Sequence, residues 1–121
     1  MKDFTKIPKD RILYKNDYFF IIEDGFPVSP GHLLIITNSL KKDYFELDFN
    51  EKQNLPLVID KAKEIILTNY SPDGFNIGMN CGESAGQTVF HFHCHVIPRY
   101  VGDMDNPRGG VRHVIPSKGK Y

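Results

Sequence analysis

The sequence predicts an α+β fold, and three observations carry that prediction. Several short segments rich in β-forming residues lie between glycine- and proline-bearing breaks. One long stretch in the middle of the chain repeats apolar residues at helical spacing. A later segment alternates histidine with apolar residues, the period of a strand.

In chain order, 11–14 and 18–23 are β-rich and separated by Lys15-Asn16-Asp17, a hairpin-like break. Gly25, Pro27, Pro30 and Gly31 then impose an irregular connection. His32-Leu33-Leu34-Ile35-Ile36-Thr37 is short and apolar and predicts a buried strand. Residues 50–69 predict the one helix: Asn50 and Gln53 have capping-box spacing, and Leu55, Val58, Ile59, Ala62, Ile65 and Ile66 form one apolar face. Pro56 lacks an N–H, so this reading expects a kink there or a regular helix beginning near Asn54. Ser71-Pro72-Asp73-Gly74 ends the helix as a turn, and Phe75, Ile77 and Met79 alternate with polar or small residues as a strand. Cys81 to Gly86 is a small-residue loop, and Thr88 to Pro98 is expected as one continuous strand.

At 121 residues the chain is long enough for one core and too short for two. Residues 1–100 are read as the domain and 101–121 as a polar tail that packs on it or on a partner. Fifteen basic residues balance fifteen acidic ones, so no global field draws the chain to nucleic acid or to an anionic membrane. An anionic substrate must be held by a local site. No apolar run approaches the ~20 residues of a membrane span, and the N-terminal stretch lacks a secretory core. Cys81 and Cys94 match no zinc spacing and are read as reduced thiols. These features together place the protein in the cytoplasm.

The alternating segment carries most of the chemistry. Side chains on a strand alternate faces, so His91, His93 and His95 share one side, and Phe90, Phe92, Cys94 and Val96 point to the core. Three of the chain's five histidines therefore line one face. The bland reading is three solvated imidazoles. A metal reading requires a third ligand from His32, His113 or Asp24, because the outer two rings stand about 13 Å apart along a strand. The reading preferred here is nucleophilic catalysis: a neutral imidazole attacks phosphorus and its neighbours move protons. The preceding loop, Gly82-Glu83-Ser84-Ala85-Gly86-Gln87-Thr88, lets backbone donors approach an anion closely.

His91-Phe92-His93-Cys94-His95-Val96-Ile97 resembles the signature of the histidine triad (HIT) family. Asn80 to Val89 is similar to that family's phosphate-binding segment, and Asp24 stands eight residues before His32 as in family members. The resemblance covers roughly residues 11 to 100. It implies a HIT-like fold, a twisted antiparallel sheet with one long helix, and a homodimer whose halves form one continuous sheet. It implies His93 as the nucleophile, His95 at the α-phosphate and leaving group, and His91 orienting the nucleophile. Asn80, Gly86, Gln87 and Thr88 would bind phosphate, Asp24 the ribose and Ile22 the base, with His32 hydrogen-bonded beneath the nucleotide site. The implied activity is nucleotide hydrolysis or transfer at the α-phosphate of a dinucleoside polyphosphate such as diadenosine tetraphosphate. The alternatives are a nucleoside phosphoramidase and a nucleotide-binding sensor with little turnover. No cofactor is required on this reading, beyond a divalent cation carried in by a polyphosphate substrate. Three histidines favour the hydrolase branches over the uridylyltransferase branch. Ser39-Leu40-Lys41-Lys42 stands where phosphoramidase-type members often carry another histidine. Arg108 and Arg112 in the tail are read by default as solvated basic residues, and the sharper alternative has them reach over a site, their own or a partner's, to pair with distal phosphates.

Overall fold

The computed structural model describes residues 3–121. Five strands, β1 (Ile12–Lys15), β2 (Phe19–Glu23), β3 (Leu33–Thr37), β4 (Gly74–Gly78) and β5 (His93–Arg99), form one antiparallel sheet in the order β1-β2-β3-β5-β4. Helix α1 (Phe49–Asn69) connects β3 to β4. The β1–β2 break is held by Asn16, whose Oδ1 accepts from the N–H groups of Tyr18 and Phe19 at 2.8 and 2.9 Å.

Strand alternation divides the apolar residues between two faces. Phe19, Ile21, Leu33, Ile35, Cys94 and Val96 pack under α1 with Leu55, Val58, Ala62 and Ile66. On the opposite face Phe20, Ile22, Leu34 and Ile36 form a second cluster, closed by Phe4. Each large aliphatic side chain buried this way contributes ~1.5–3 kcal/mol. Neighbouring residues of β3 thus serve different cores, which explains why the whole strand is buried.

Helix α1 begins one residue earlier than the sequence suggested and runs without a break. Its cap is Asp48, not Asn50. The Asp48 side chain accepts from the Glu51 N–H at 2.8 Å, and Glu51 returns a bond from the Asp48 N–H at 2.8 Å. Glu51 is buried because it also takes the Ser39 hydroxyl at 2.8 Å and the Lys41 ammonium at 3.3 Å. Pro56 lies inside the helix on its exposed side, so the Lys52 carbonyl that loses its donor faces water.

The histidine strand is shorter than expected. Residues 88–92 are not laddered into the sheet; the Phe92 N–H donates instead to the Lys41 carbonyl at 2.6 Å. Ser39–Lys42 therefore brackets the approach to β5 from one side and the start of α1 from the other.

Candidate active site

β5 pairs with β3 through His95↔Leu34 and His93↔Ile36, and with β4 through His95↔Gly78. Both imidazoles stand on the face away from α1, beside the smaller apolar cluster. A cavity of about 390 Å³ opens there, lined by His93, His95, Asp24, His32, Asn80, Gly86 and Thr88, with apolar walls from Phe4, Phe26, Val28, Leu34 and Val89.

Backbone acceptors determine which nitrogen of each ring is bare. His93 Nδ1 lies 2.8 Å from the His91 carbonyl, which can only accept, so Nδ1 carries the proton and the neutral ring keeps its lone pair on Nε2. His91 is buried, and its Nε2 donates to the Thr37 carbonyl at 2.8 Å. It does not line the cavity; it anchors the backbone whose carbonyl orients His93.

His95 has the opposite polarity. The Val28 N–H donates to His32 Nδ1 at 3.1 Å, so a neutral His32 carries its proton on Nε2. That nitrogen lies 2.9 Å from His95 Nδ1, which must then accept. His95 is left with its proton on Nε2. Two identical side chains, two residues apart, thus present a lone pair and an N–H.

Asp24 closes the loop that supplies His32. Its N–H donates to the His32 carbonyl at 3.1 Å, and its Oδ1 accepts from the Phe26 N–H at 2.8 Å. Its Oδ2 stands 3.4 Å from His32 Nε2 and 3.8 Å from His95 Nδ1. Asp24, His32 and His95 offer one ligand atom each, all within 4.8 Å of one another, which is the geometry of a possible divalent-metal site. A metal there would have to replace the His32–His95 hydrogen bond. His113, another sequence candidate for such a site, donates to the Arg108 carbonyl in the tail.

In the 82–88 loop, Gly82 and Gly86 have φ of 98° and 93°, values that favour glycine. Four of the loop's N–H groups are engaged within it: those of Ala85 and Gln87 to the Gly82 carbonyl, that of Gly86 to the Glu83 carbonyl, and that of Gly82 to Gln87 Oε1. Asn80 and Thr88 line the cavity. Gln87 is buried, its amide donating to the carbonyls of Lys42 and Val89 at 2.6 and 3.2 Å. It braces the loop and does not line the cavity. Ile22 is fully buried in the smaller cluster, and Leu34 takes the wall nearest it.

The apolar walls were missed in the sequence. Phe26 and Val28 are 81% and 71% exposed, and the only hint was two large apolar residues in a proline-rich loop. Phe4, whose ring meets those of His91 and His93 edge-on, gave no signal at all. The tail arginines do not reach over this cavity: Arg108 and Arg112 both lie over the Tyr121 ring, and Arg112 donates to the Lys118 carbonyl.

Comparison with known proteins agrees with this fold. A crystal structure of a HIT family protein from Bacillus anthracis superposes with a TM-score of 0.71 at 38% identity, covering 76% of this chain and 65% of that one. The AP-4-A phosphorylase of Mycobacterium tuberculosis is 31% identical over 84% of this chain. The bis(5'-adenosyl)-triphosphatase of Saccharomyces cerevisiae is 31% identical over 78% of it. The chain spans about half the length of those two curated relatives, 55% and 48% respectively. The HIT domain family model matches residues 5–102, and with the histidines arranged as described, the chain belongs to the HIT family.

Proposed function

We propose that the chain hydrolyses or transfers a nucleoside 5′-phosphate through a nucleotidyl-His93 intermediate. The observation that carries this reading is the opposed polarity of two neighbouring rings, His93 with a bare Nε2 and His95 with an Nε2–H. The His93 lone pair forms an N–P bond while the bond from phosphorus to the leaving atom breaks. The departing electron pair takes the proton of His95 Nε2. Water then attacks phosphorus, the N–P pair returns to His93, and His95 recovers a proton from the water. The net change is substrate plus water to nucleoside monophosphate plus protonated leaving group.

Asn80 and Thr88 hold phosphate oxygens in this scheme, and Asp24 accepts from the ribose hydroxyls. Gly86 and Gln87 shape the loop, His32 sets the His95 tautomer and His91 anchors the nucleophile. No step needs a metal, and a divalent cation, where present, arrives with a polyphosphate substrate.

The names of the relatives support dinucleoside polyphosphates as the substrate class. Nucleoside phosphoramidates are the second reading, favoured by the absence of any Lys or Arg among the described residues that line the cavity. We also propose a homodimer. β4 is an edge strand, and pairing it with the β4 of a second copy would extend the sheet across both chains. No helix among the described residues is long and apolar enough to cross a membrane, and a nucleotide substrate suits a cytoplasmic protein.

Quenched-flow mixing with adenosine substrates followed by intact-protein mass spectrometry tests the chemistry. A nucleotidyl adduct on His93 is expected. His93→Ala should lower turnover on the order of 10⁴-fold while adenosine monophosphate still binds. Near-wild-type turnover in that variant would refute the covalent route, and tight binding with negligible turnover of every substrate would favour a sensor.

A further inference from the structure

Among the described residues Glu51 is the only buried carboxylate, 4% exposed, and the chemistry above does not use it. A capping glutamate works at the surface and needs one oxygen for its return bond. Here both oxygens are engaged. Oε1 accepts from the Asp48 N–H at 2.8 Å and lies 3.3 Å from the Lys41 ammonium, and Oε2 accepts from the Ser39 hydroxyl at 2.8 Å. Burying a carboxylate is costly unless it is paired and hydrogen-bonded, so this burial is tied to holding residues 39 and 41. We propose that Glu51 is a positioning residue for the nucleophile: it fixes the Lys41 carbonyl, which orients the His91–Phe92 peptide unit and, through it, the proton on His93. The inference rests on His93 as the nucleophile of the covalent reading, and it adds a residue from α1, on the other face of the sheet.

The chain of contacts is short and directional. A trans peptide is planar, and its C=O and N–H point in opposite directions in that plane. The His91–Phe92 unit is held at both ends: its N–H donates to the Lys41 carbonyl at 2.6 Å, and its C=O accepts from His93 Nδ1 at 2.8 Å. Fixing the first bond therefore aims the second. Both bonds polarise the same amide, so the engaged N–H makes the carbonyl a better acceptor. Residues 88–92 stand outside the ladder, so Lys41, not the sheet, sets the direction of this peptide. Lys41 is held in turn by its N–H to the Ser39 carbonyl at 3.0 Å and by its ammonium on Glu51. Without that hold the His91 carbonyl turns away from Nδ1, and His93 populates the tautomer with its proton on Nε2, where no lone pair remains for attack.

The next carbonyl of the segment has a parallel task. The Lys42 C=O takes the Gln87 amide at 2.6 Å and so braces the 82–88 loop. Lys42 has a tether of its own, because its N–H donates to Glu46 Oε1 at 2.7 Å. Loss of the Glu51 contacts should therefore reach the nucleophile and spare the loop. The signature is a slower chemical step with nucleotide binding retained.

Variants separate positioning from helix capping. Ser39→Ala combined with Lys41→Met removes both holds on the segment but keeps the Lys41 carbonyl and the cap. Asp48→Ala removes the cap acceptor and keeps both holds. Single-turnover quenched flow with adenosine 5′-phosphoramidate measures formation of nucleotidyl-His93. The double variant should form it about tenfold more slowly than wild type, while binding adenosine monophosphate within about threefold as tightly. Asp48→Ala should lower Tm yet stay within about twofold of the wild-type rate. Glu51→Leu should be slow as well, and Glu51→Gln, which can still accept and donate, should recover part of the loss. Nuclear magnetic resonance of protein carrying ¹⁵N-labelled histidine gives a readout independent of turnover. His93 of the wild type should show a protonated Nδ1 and a bare Nε2, and the double variant a mixture of both tautomers. Equal rate losses in Asp48→Ala and the double variant, or a wild-type tautomer in the double variant, would overturn the proposal. Mixed tautomers in the double variant, without any nucleotidyl adduct in the wild type, would remove the covalent reading and keep the positioning of His93. A wild-type adduct together with unchanged rate and tautomer in the double variant would do the reverse.

Discussion

His32 never touches phosphorus in the scheme above, yet its replacement gives the sharpest test of how His95 works. His32→Leu deletes two hydrogen bonds, from the Val28 N–H at 3.1 Å and to His95 Nδ1 at 2.9 Å. His32 is 3% exposed, so leaving its partners without it costs stability, about 2 kcal/mol, with a fall in Tm on the order of 8 °C. The catalytic effect is separate. Without the His32 donor, His95 is free to carry its proton on Nδ1, where it cannot reach the leaving atom. One such bond is worth ~0.5–1.5 kcal/mol, or about 2- to 12-fold in rate. The loss should appear only when the leaving group must be protonated. The assay is kcat for adenosine 5′-phosphoramidates of amines graded in basicity, from nitroanilines to alkylamines. The variant should match wild type within about twofold for the least basic amines and fall about tenfold for the most basic. His32→Gln, whose amide can donate, should recover part of the loss. A uniform fall across the series would refute the tautomer argument and leave His32 as a structural residue alone.

Burial pushes the Cys94 thiol up to about 12, whereas Cys81 is only half-buried. Iodoacetamide near pH 8 should therefore add one carbamidomethyl group to the native protein and two after denaturation, and two on the native protein would contradict the core placement of Cys94. Asp103 accepts two bonds from Arg99, at 2.7 and 2.8 Å, and one from the Tyr100 N–H, which hold its carboxyl down at about 2. Its unfolded value is about 3.9, so the stability it adds is present above about pH 4 and disappears as pH falls toward 2. Asp103→Asn should lower Tm near pH 6, and the gap from wild type should close between about pH 4 and pH 2; a gap constant with pH would exclude the ion pair as its cause. EDTA treatment should leave phosphoramidate turnover unchanged, while added Zn²⁺ should inhibit by taking Asp24, His32 and His95. Inhibition equally strong in His32→Leu would show that zinc binds elsewhere.

How much of this was legible in the sequence depended on whether a signal was local. β2 and β3 announced themselves because every residue of β3 and most of β2 are buried, giving unbroken apolar runs. The helix start was misjudged because residues 48–53 offer two overlapping capping patterns, Asp48 with Glu51 and Asn50 with Gln53, and exposed Phe49 disguised the true one. The alternation was right about Phe92, Cys94 and Val96 but wrong about Phe90, which is exposed, and about the strand, since the bond from Phe92 to Lys41 takes residues before His93 out of the ladder. That bond joins positions far apart in sequence, and no periodicity encodes it. The same holds for Gln87, which the family resemblance implied as a phosphate ligand but whose amide donates to the carbonyls of Lys42 and Val89. Ser39–Lys42, which looked like a mere departure from relatives bearing a histidine there, proves to be the bracket that positions both.

The site's chemistry comes from an asymmetry that side-chain identity does not contain. His93 and His95 are the same residue on the same face of one strand, and their rings lie 5.5 Å apart between centroids. They differ because one meets a carbonyl and the other meets a second imidazole. A carbonyl can only accept, so it strips Nε2 of its proton; an imidazole whose Nδ1 is already occupied by a backbone N–H can only donate, so it leaves the proton on Nε2 of its neighbour. The donor that settles the second case, the Val28 N–H, belongs to the same loop that carries Asp24 and the exposed apolar rim of the cavity. Ligand contact at Phe26 or Val28 therefore bears directly on the loop that sets the proton position at His95. The cavity rim and the proton placement at His95 thus share one short stretch of backbone, the loop from Asp24 to His32.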